Sequence, residues 1–328
     1  MRICIFDVKP FEKGTLEAIR SERPELDLVL VEEGLNKDSL HMAEGADGVS
    51  VLGTSKVNAE ILKALKEMGI SHVSTRTIGF DHIDVKCAGE LGISTYNAFY
   101  NPNNVADFTV MMMLIMLRKA KVSICRALVN DFSLDGLQGR EMHNLTVGII
   151  GTGKIGVAVI KNLSGFGCRI LAYDLYQNQA VKDYAEYVSL DELYASSDIV
   201  SLHIPLTEDN YHMIDKDTIH KMKKGVIIIN TARGQLIDTE DLIEALEEEY
   251  VGGAGIDALE EEAGMMHVDI GTRVVDNRSL FYLKQFPNVL YTQHYAFYTE
   301  EATQSMVRCG VDSILAGLKG ESTPCLIK

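Results

Sequence analysis

Short runs of apolar and β-branched residues alternate with helical patterns twice along this 328-residue chain, and that alternation leaves few folds open. The first series of runs lies at residues 3–6, 26–31, 48–52, 72–74 and 93–96; the second lies at 146–150, 169–173, 199–203, 226–230, 253–256 and 289–292. Strands separated by helices form parallel sheets covered on both faces, because each crossover must return over the sheet. Two series predict an α/β protein of two Rossmann-like domains with doubly wound parallel sheets. The six runs of the second series are the count of a complete dinucleotide-binding fold. A chain of this length also exceeds what one hydrophobic core supports.

Between the runs lie amphipathic segments such as 58–68, where Ile61, Leu62, Leu65 and Met68 share a face. Residues 102–118 differ: Pro102 opens a helix that continues through FTVMMMLIML, apolar almost all round. Such a helix needs cover on several sides, so Met111, Met112 and Met113 read as core, and either a subunit contact or burial within one domain satisfies it. A last helix, 300–318, could pack on either series.

The formal charge of −16 argues against nucleic acid or an anionic membrane as partner. It also makes any cation in a cleft informative, since an anionic ligand must be held by local donors. Residues 110–117 are the longest apolar run, far short of the roughly 20 that cross a bilayer. MRICIFDVKP reads as a first buried strand rather than a signal peptide. Cys4, Cys87, Cys125, Cys168, Cys309 and Cys325 show no CxxC and no metal-ligand spacing, which predicts reduced thiols, a cytoplasmic setting and no metal site.

After the run LTVGII comes GTGKIG. Gly151, Gly153 and Gly156 stand where a chain must turn tightly, approach a pyrophosphate and pack a helix on the sheet. The helix at 154–163 offers backbone N–H groups to phosphates. The next strand ends at Asp174, placed to accept from ribose hydroxyls and repel a 2′-phosphate; with Leu175 rather than arginine beside it, NAD is expected over NADP.

Three further runs end in polar residues, on the side of an open parallel sheet where ligands bind. The run VIIIN leads to Thr231, Ala232, Arg233 and Gly234; GGAGID ends at Asp257 and continues into Ala258, Leu259, Glu260, Glu261 and Glu262; the last leads to His294. An arginine fork suits a carboxylate, and histidine suits proton transfer near neutrality. Spacing does not choose among the three glutamates. Arginine, acid and histidine beside a nicotinamide site are what reduction of a 2-oxo acid requires: an anchor, a proton and a hydride.

GTGKIG with Asp174, NTARG followed by LIDTEDL, GIDALEEE and HYAFYTEEA resemble the signature segments of the D-isomer-specific 2-hydroxyacid dehydrogenases, in particular the D-lactate dehydrogenase branch with the vancomycin-resistance and clostridial phenyllactate and hydroxyisocaproate enzymes. The likeness covers essentially the whole chain. It implies that Arg233 anchors the substrate carboxylate, that His294 exchanges the proton, and that Glu262 pairs with His294. Cofactor contacts are implied for the glycine turn with Thr152, Lys154 and Ile155, for Asp174, His203, Ile204, Pro205 and Asn210, and for Thr231, Ala232 and Asp257. STRTIGFDHID resembles the substrate loop, with backbone groups at Ile78 and Gly79 meeting the carboxylate; Tyr100 and Phe297 flank the pocket. The implied layout is discontinuous: residues 1–99 with 299–328 form a flavodoxin-like substrate domain, residues 100–298 bind NAD, and the active site lies in the cleft between them.

The expected reaction is NAD-dependent interconversion of a 2-oxo acid and a D-2-hydroxy acid, with pyruvate and D-lactate ranked ahead of phenylpyruvate or 2-oxoisocaproate, in a homodimer. An NAD-sensing corepressor-like binding protein is the alternative of another class. The sequence departs from the family where Gln293 replaces the usual proline before His294 and Asp107 the usual glutamate. His72, His82 and Arg76 flank the substrate loop; Arg76 could add charge to the pocket or form an ion pair.

Overall fold

The structure is a computed structural model that describes residues 1–262 and 264–327. It divides into two compact units, one of Met1–Asn101 with the chain from Tyr298 onward, the other Pro102–Phe297.

In the first unit, strands β1 (Arg2–Ile5), β2 (Asp27–Leu30), β3 (Gly48–Val51), β4 (His72–Thr75) and β5 (Ser94–Tyr96) pair in parallel in the order β2-β1-β3-β4-β5. That is the flavodoxin order. Helices α1 (Pro10–Glu22), α2 (Ala59–Glu67) and α3 (Val85–Glu90) connect them. Helix α2 starts where the Asn58 side chain accepts from the backbone N–H groups of Glu60 and Ile61, and it buries Ile61, Leu62 and Leu65. These pack with Cys4, Phe6, Val49 and Val51 on one face of the sheet.

The second unit opens with α4 (Asn103–Leu117) and α5 (Ala120–Leu128). Its sheet contains β6 (Thr146–Ile150), β7 (Arg169–Tyr173), β8 (Glu186–Tyr187), β9 (Ile199–Leu202), β10 (Val226–Asn230), β11 (Val251–Ile256) and β12 (Val289–Tyr291), ordered β12-β11-β10-β9-β6-β7-β8 and parallel throughout. Helices α6 (Lys154–Ser164), α7 (Leu190–Ser196), α8 (Lys216–Lys221), α9 (Thr239–Glu247) and α10 (Arg278–Leu283) cover it. The sheet has one strand more than the six runs predicted. The extra strand, β8, is a two-residue edge pairing with β7, too short to leave an apolar run. Strand order reverses between β6 and β9, the switch point where ligands bind in such sheets.

Helix α4 is covered largely from within its own unit. Met112 and Met113 are fully buried with Val147, Ile149 and Val159. Glycines in β11 let the helix come close: a Cβ on Gly253 would lie 2.7 Å from Met116 Cε, and one on Gly255 would lie 3.3 Å from Met112 Cε. Met111, expected in the core, instead faces outward at 38% exposure. A helix apolar all round does not reveal which side its own domain will cover.

Helix α11 (Glu300–Leu318) belongs to the first unit. Thr299 caps it by accepting from Ala302 N–H, and Val307, Val311 and Ile314 pack with Ile3, Ile5, Leu16 and Ile19 on the sheet face opposite α2. Among the described residues, no helix is long and apolar enough to cross a membrane, and no group of three or more His, Cys, Asp or Glu could hold a metal ion.

Candidate active site

Strand β6 is followed by Gly151, whose φ of +101° and N–H bond to Tyr173 carbonyl (2.8 Å) turn the chain at the carboxyl end of the sheet. A side chain has no room there: a Cβ would lie 2.6 Å from the His203 carbonyl oxygen and 2.7 Å from Ile204 Cγ2. A Cβ on Gly156 would collide with the Gly151 carbonyl. A Cβ on Gly153, at the N-cap of α6, would meet nothing within 4 Å, so the space before the helix's first N–H groups is open. Asp174, just past β7, accepts through Oδ2 from Thr152 N–H (2.5 Å) and Oγ1–H (3.1 Å), and through Oδ1 from Tyr176 N–H (3.1 Å). A carboxylate accepts about four hydrogen bonds, so acceptor capacity remains.

Two residues that sequence reasoning missed hold this corner. Tyr187 Oη donates to Thr152 Oγ1 (2.8 Å), and Asn178 Nδ2 donates to Thr152 carbonyl (3.0 Å). Tyr187 lies on the strand that left no sequence signal. Ile204, Pro205 and Asn210 follow β9, where Asn210 ties its own turn by accepting from Thr207 N–H and donating to Pro205 carbonyl, both at 2.8 Å. His203 lies 2.9 Å from Ser201 Oγ, and burial pushes its pKa down to about 3. Burial thus favours the neutral ring, whose single N–H suits it to hydrogen bonding rather than to proton transfer.

Beyond β10, buried Asn230 accepts from Ala232 N–H (3.0 Å) and donates to Arg233 carbonyl (2.8 Å), which bends the chain so that Arg233 follows the strand end directly. The Thr231 and Thr109 hydroxyls meet at 3.0 Å. A Cβ on Gly234 would collide with the Leu259 backbone, so the turn after Arg233 presses on the segment after β11.

The structure separates the three glutamates. Glu262 Oε1 lies 2.5 Å from His294 Nδ1, and its Oε2 accepts from Leu259 N–H (3.1 Å). Glu261 sits at φ +55° with its side chain exposed. Glu260 turns away, 2.6 Å from His212 Nε2. His294 itself is left-handed, φ +52°, a conformation that costs roughly 1–3 kcal/mol outside glycine. Its surroundings hold it there: Asp257 accepts from Thr292 Oγ1–H (2.6 Å), Tyr295 N–H (3.1 Å) and Ala296 N–H (3.0 Å), while His267 Nε2 lies 3.0 Å from the His294 carbonyl. Asp257, expected to touch the cofactor, gives three of its roughly four acceptor sites to the histidine loop, so like Asp174 it keeps some acceptor capacity.

Burial of the His294 ring favours the neutral form, but the hydrogen bond and charge of Glu262, with the charge of Asp257, outweigh it, against opposition from Arg233. The pKa is raised above the ordinary histidine value, so the ring keeps its proton further into the neutral range. With Nδ1 committed to Glu262, Nε2 is the nitrogen that can deliver a proton outward.

In the first unit, Ile78 carbonyl accepts from Asn97 Nδ2 (2.9 Å) and Gly79 carbonyl from Thr77 Oγ1 (2.6 Å), while Thr77 and Thr75 hydroxyls (2.7 Å) lead to His82 Nε2 (3.0 Å). Tyr100 is buried in the same unit. Arg76 turns into the core, fully buried, and bonds Glu12 at 2.6 and 3.1 Å. His72 Nδ1 lies 2.9 Å from Tyr96 Oη, and burial lowers its pKa. In the second unit, Phe297 packs edge-on to His267 and Asp107 accepts from Asn162 Nδ2 (2.7 Å).

Residues 110–296 match the family model described as "D-isomer specific 2-hydroxyacid dehydrogenase, NAD binding domain". The chain is similar to the aromatic 2-oxoacid reductase of Clostridium sporogenes, 44% identical over 94% of this chain and 93% of that one. It is also similar to the D-specific alpha-keto acid dehydrogenase of Enterococcus faecalis, 41% identical over 90% of this chain and 93% of the other. Among solved structures, a D-lactate dehydrogenase from Treponema pallidum superposes with a TM-score of 0.90 at 32% identity, covering 100% of both chains.

Fold and glycine turn define an NAD-dependent oxidoreductase: the turn excludes side chains where a pyrophosphate would approach, and Asp174 retains acceptor capacity for a ribose. The chain belongs to the D-isomer-specific 2-hydroxyacid dehydrogenase family and acts on the CH–OH group of its donors.

Proposed function

We propose that the protein interconverts pyruvate and D-lactate, with Arg233, Glu262 and His294 as the reacting set. The 2.5 Å contact between His294 and Glu262, within electrostatic reach of Arg233, carries this reading. Arg233 binds the substrate carboxylate with two parallel charge-assisted hydrogen bonds, fixing orientation as well as charge. His294 gives its Nε2 proton to the carbonyl oxygen during reduction and takes it back during oxidation. Glu262 keeps the ring charged and aimed. Bound NADH supplies the hydride for the carbonyl carbon.

Among this chain's own residues, backbone groups of Ile78 and Gly79 add contacts to the carboxylate, and Tyr100 and Phe297 bound the substrate. Gly151, Thr152, Gly153, Lys154, Ile155 and Gly156 receive the pyrophosphate; Asp174, with Ile204, Pro205, Asn210, Thr231, Ala232 and Asp257, holds the rest of the dinucleotide.

A second reading, reduction of larger 2-oxo acids, is supported by the aromatic 2-oxoacid reductase relative. It is also supported by Gly53, which lies beside Thr77 and His82 of the segment resembling the substrate loop and where a Cβ would come no nearer than 3.8 Å to their side chains. A methylene is worth about 1–3 kcal/mol in such pockets, so an assay decides. NADH oxidation is measured against pyruvate, 2-oxoisocaproate and phenylpyruvate, with His294→Gln alongside. The expected result is turnover of pyruvate and loss of most of the rate in the variant with NADH binding kept. Wild type that binds NADH and reduces none of the three would favour the NAD-sensing alternative.

The proposal extends to a cytoplasmic homodimer. Ile124, Leu128, Val129, Phe132 and Leu134 stand exposed on the second unit together with Met111, and an apolar surface of this kind is a candidate for self-association. Sedimentation of wild type and Leu128→Glu tests it, a monomeric wild type being the refuting result.

A further inference from the structure

We propose that His212 is a positioning residue: by clamping Glu260 it sets the turn that presents Glu262 to His294. The inference rests on the proposed role of Glu262 and adds a residue outside the reacting set.

Three adjacent carboxylates repel one another, and a turn that carries them needs opposing anchors. Glu262 has His294. Glu260 has His212 Nε2 at 2.6 Å on Oε1, and Thr239 N–H (3.1 Å) and Oγ1–H (2.7 Å) on Oε2. The other ring nitrogen of His212, Nδ1, lies 3.0 Å from Asp238 Oδ2. Ionised carboxylates only accept, so both contacts are satisfied when both ring nitrogens carry hydrogens.

The ring therefore ties three segments together. Its own segment runs beside the chain that follows Arg233, through His212 N–H to Gln235 carbonyl (2.8 Å) and Ile214 N–H to Leu236 carbonyl (3.0 Å). Asp238 caps α9 through Glu240 and Asp241 N–H. Glu260 begins the turn whose next residue, Glu261, is left-handed at φ +55°. A turn held in that conformation must be over-determined by its surroundings. Only Glu261 separates Glu260 from Glu262, so the anchor at one end fixes where the other carboxylate points. His212 also lies two residues past Asn210, which links the proposed cofactor segment to the proposed acid.

Ring titration of His294 reads this directly, because Glu262, Asp257 and Arg233 are the charged groups that set it. Protein labelled with 13C at histidine Cε1 is titrated by NMR as wild type, His212→Ala and Glu260→Gln, the His294 signal being assigned with His294→Gln. In His212→Ala the His294 midpoint is expected to fall, and kcat for 2-oxo acid reduction to drop about tenfold while the KM for NADH changes less than about twofold. Added to Glu262→Gln, His212→Ala is expected to cost less than about twofold in kcat, since residues acting as one unit are not additive. An unmoved His294 midpoint in His212→Ala overturns the proposal, as do fully multiplicative effects in the double variant. If His212→Ala does not fold, Glu260→Gln keeps the shape, removes the charge and decides by the same midpoint. If wild type reduced no 2-oxo acid, the functional reading would fail while the NMR comparison would still decide the positioning.

Discussion

On the proposed mechanism, replacing Glu262 by glutamine changes the pH dependence of reduction more than its geometry. Glutamine keeps an oxygen to accept from His294 Nδ1 but removes the charge. The pair is largely enclosed, with 29% of the His294 and 21% of the Glu262 side chain exposed, so water screens it only in part. A hydrogen bond to a charged group is worth about 1.5–3 kcal/mol. The neutral amide still accepts a bond worth about 0.5–1.5 kcal/mol, so the net loss is about 1–1.5 kcal/mol, and at about 1.4 kcal/mol per factor of ten the protonated population above the midpoint falls by about 5- to 10-fold. The sign follows from the raised pKa of His294. Reduction needs the protonated ring and is lost as pH rises through that pKa; without Glu262, burial and Arg233 act against Asp257 alone, and the loss begins at lower pH. Oxidation needs the neutral ring and should persist to lower pH in the variant. The assay is kcat/KM in both directions from about pH 5 to 9, where free-enzyme acid and base groups are reported. Reduction and oxidation profiles in Glu262→Gln that parallel wild type, with only a uniform loss, would refute the reasoning.

Removing the Asp174 charge tests cofactor choice: Asp174→Ala should raise the ratio of NADPH to NADH efficiency more than about tenfold, since two like unit charges 4 Å apart near a surface interact by roughly 4 kcal/mol. An unchanged ratio would place the 2′-position elsewhere. Glu12→Ala leaves the fully buried Arg76 guanidinium with the Phe6 carbonyl and Ser50 hydroxyl but no counter-charge. Breaking such a pair costs about 3–5 kcal/mol; chemical denaturation followed by circular dichroism should show the loss, and an unshifted midpoint contradicts it. Gly156→Ala should abolish NADH binding in a fluorescence titration, because the added methyl collides with the Gly151 carbonyl.

Much of the architecture was legible because it depends on near neighbours in the chain. Runs at 146–150, 169–173 and 226–230 coincide with β6, β7 and β10, and the glycine turn between β6 and α6 is read from six consecutive residues. Apolar periodicity and backbone freedom are local properties, and both sheets are built from them. The residues brought together at the strand ends were visible as types: Arg233, an acid and His294. Which glutamate meets His294 was not visible from spacing and came only from resemblance.

Charge pairing across loops is a property of packing. Glu262 lies 32 residues from His294, Glu260 lies 48 from His212, and Arg76 finds Glu12 across 64. No periodicity spans such separations. The exposed face of Met111 likewise depended on how far β11 allowed α4 to approach, and the edge strand β8 on having β7 beside it. The amino-acid sequence by itself determined the two parallel sheets and the dinucleotide turn, because dihedral preference and hydrophobic spacing act over a few residues. Only the tertiary structure decided which carboxylate faces which histidine, because that choice is made by backbone turns whose strained conformations are held by partners distant in the chain.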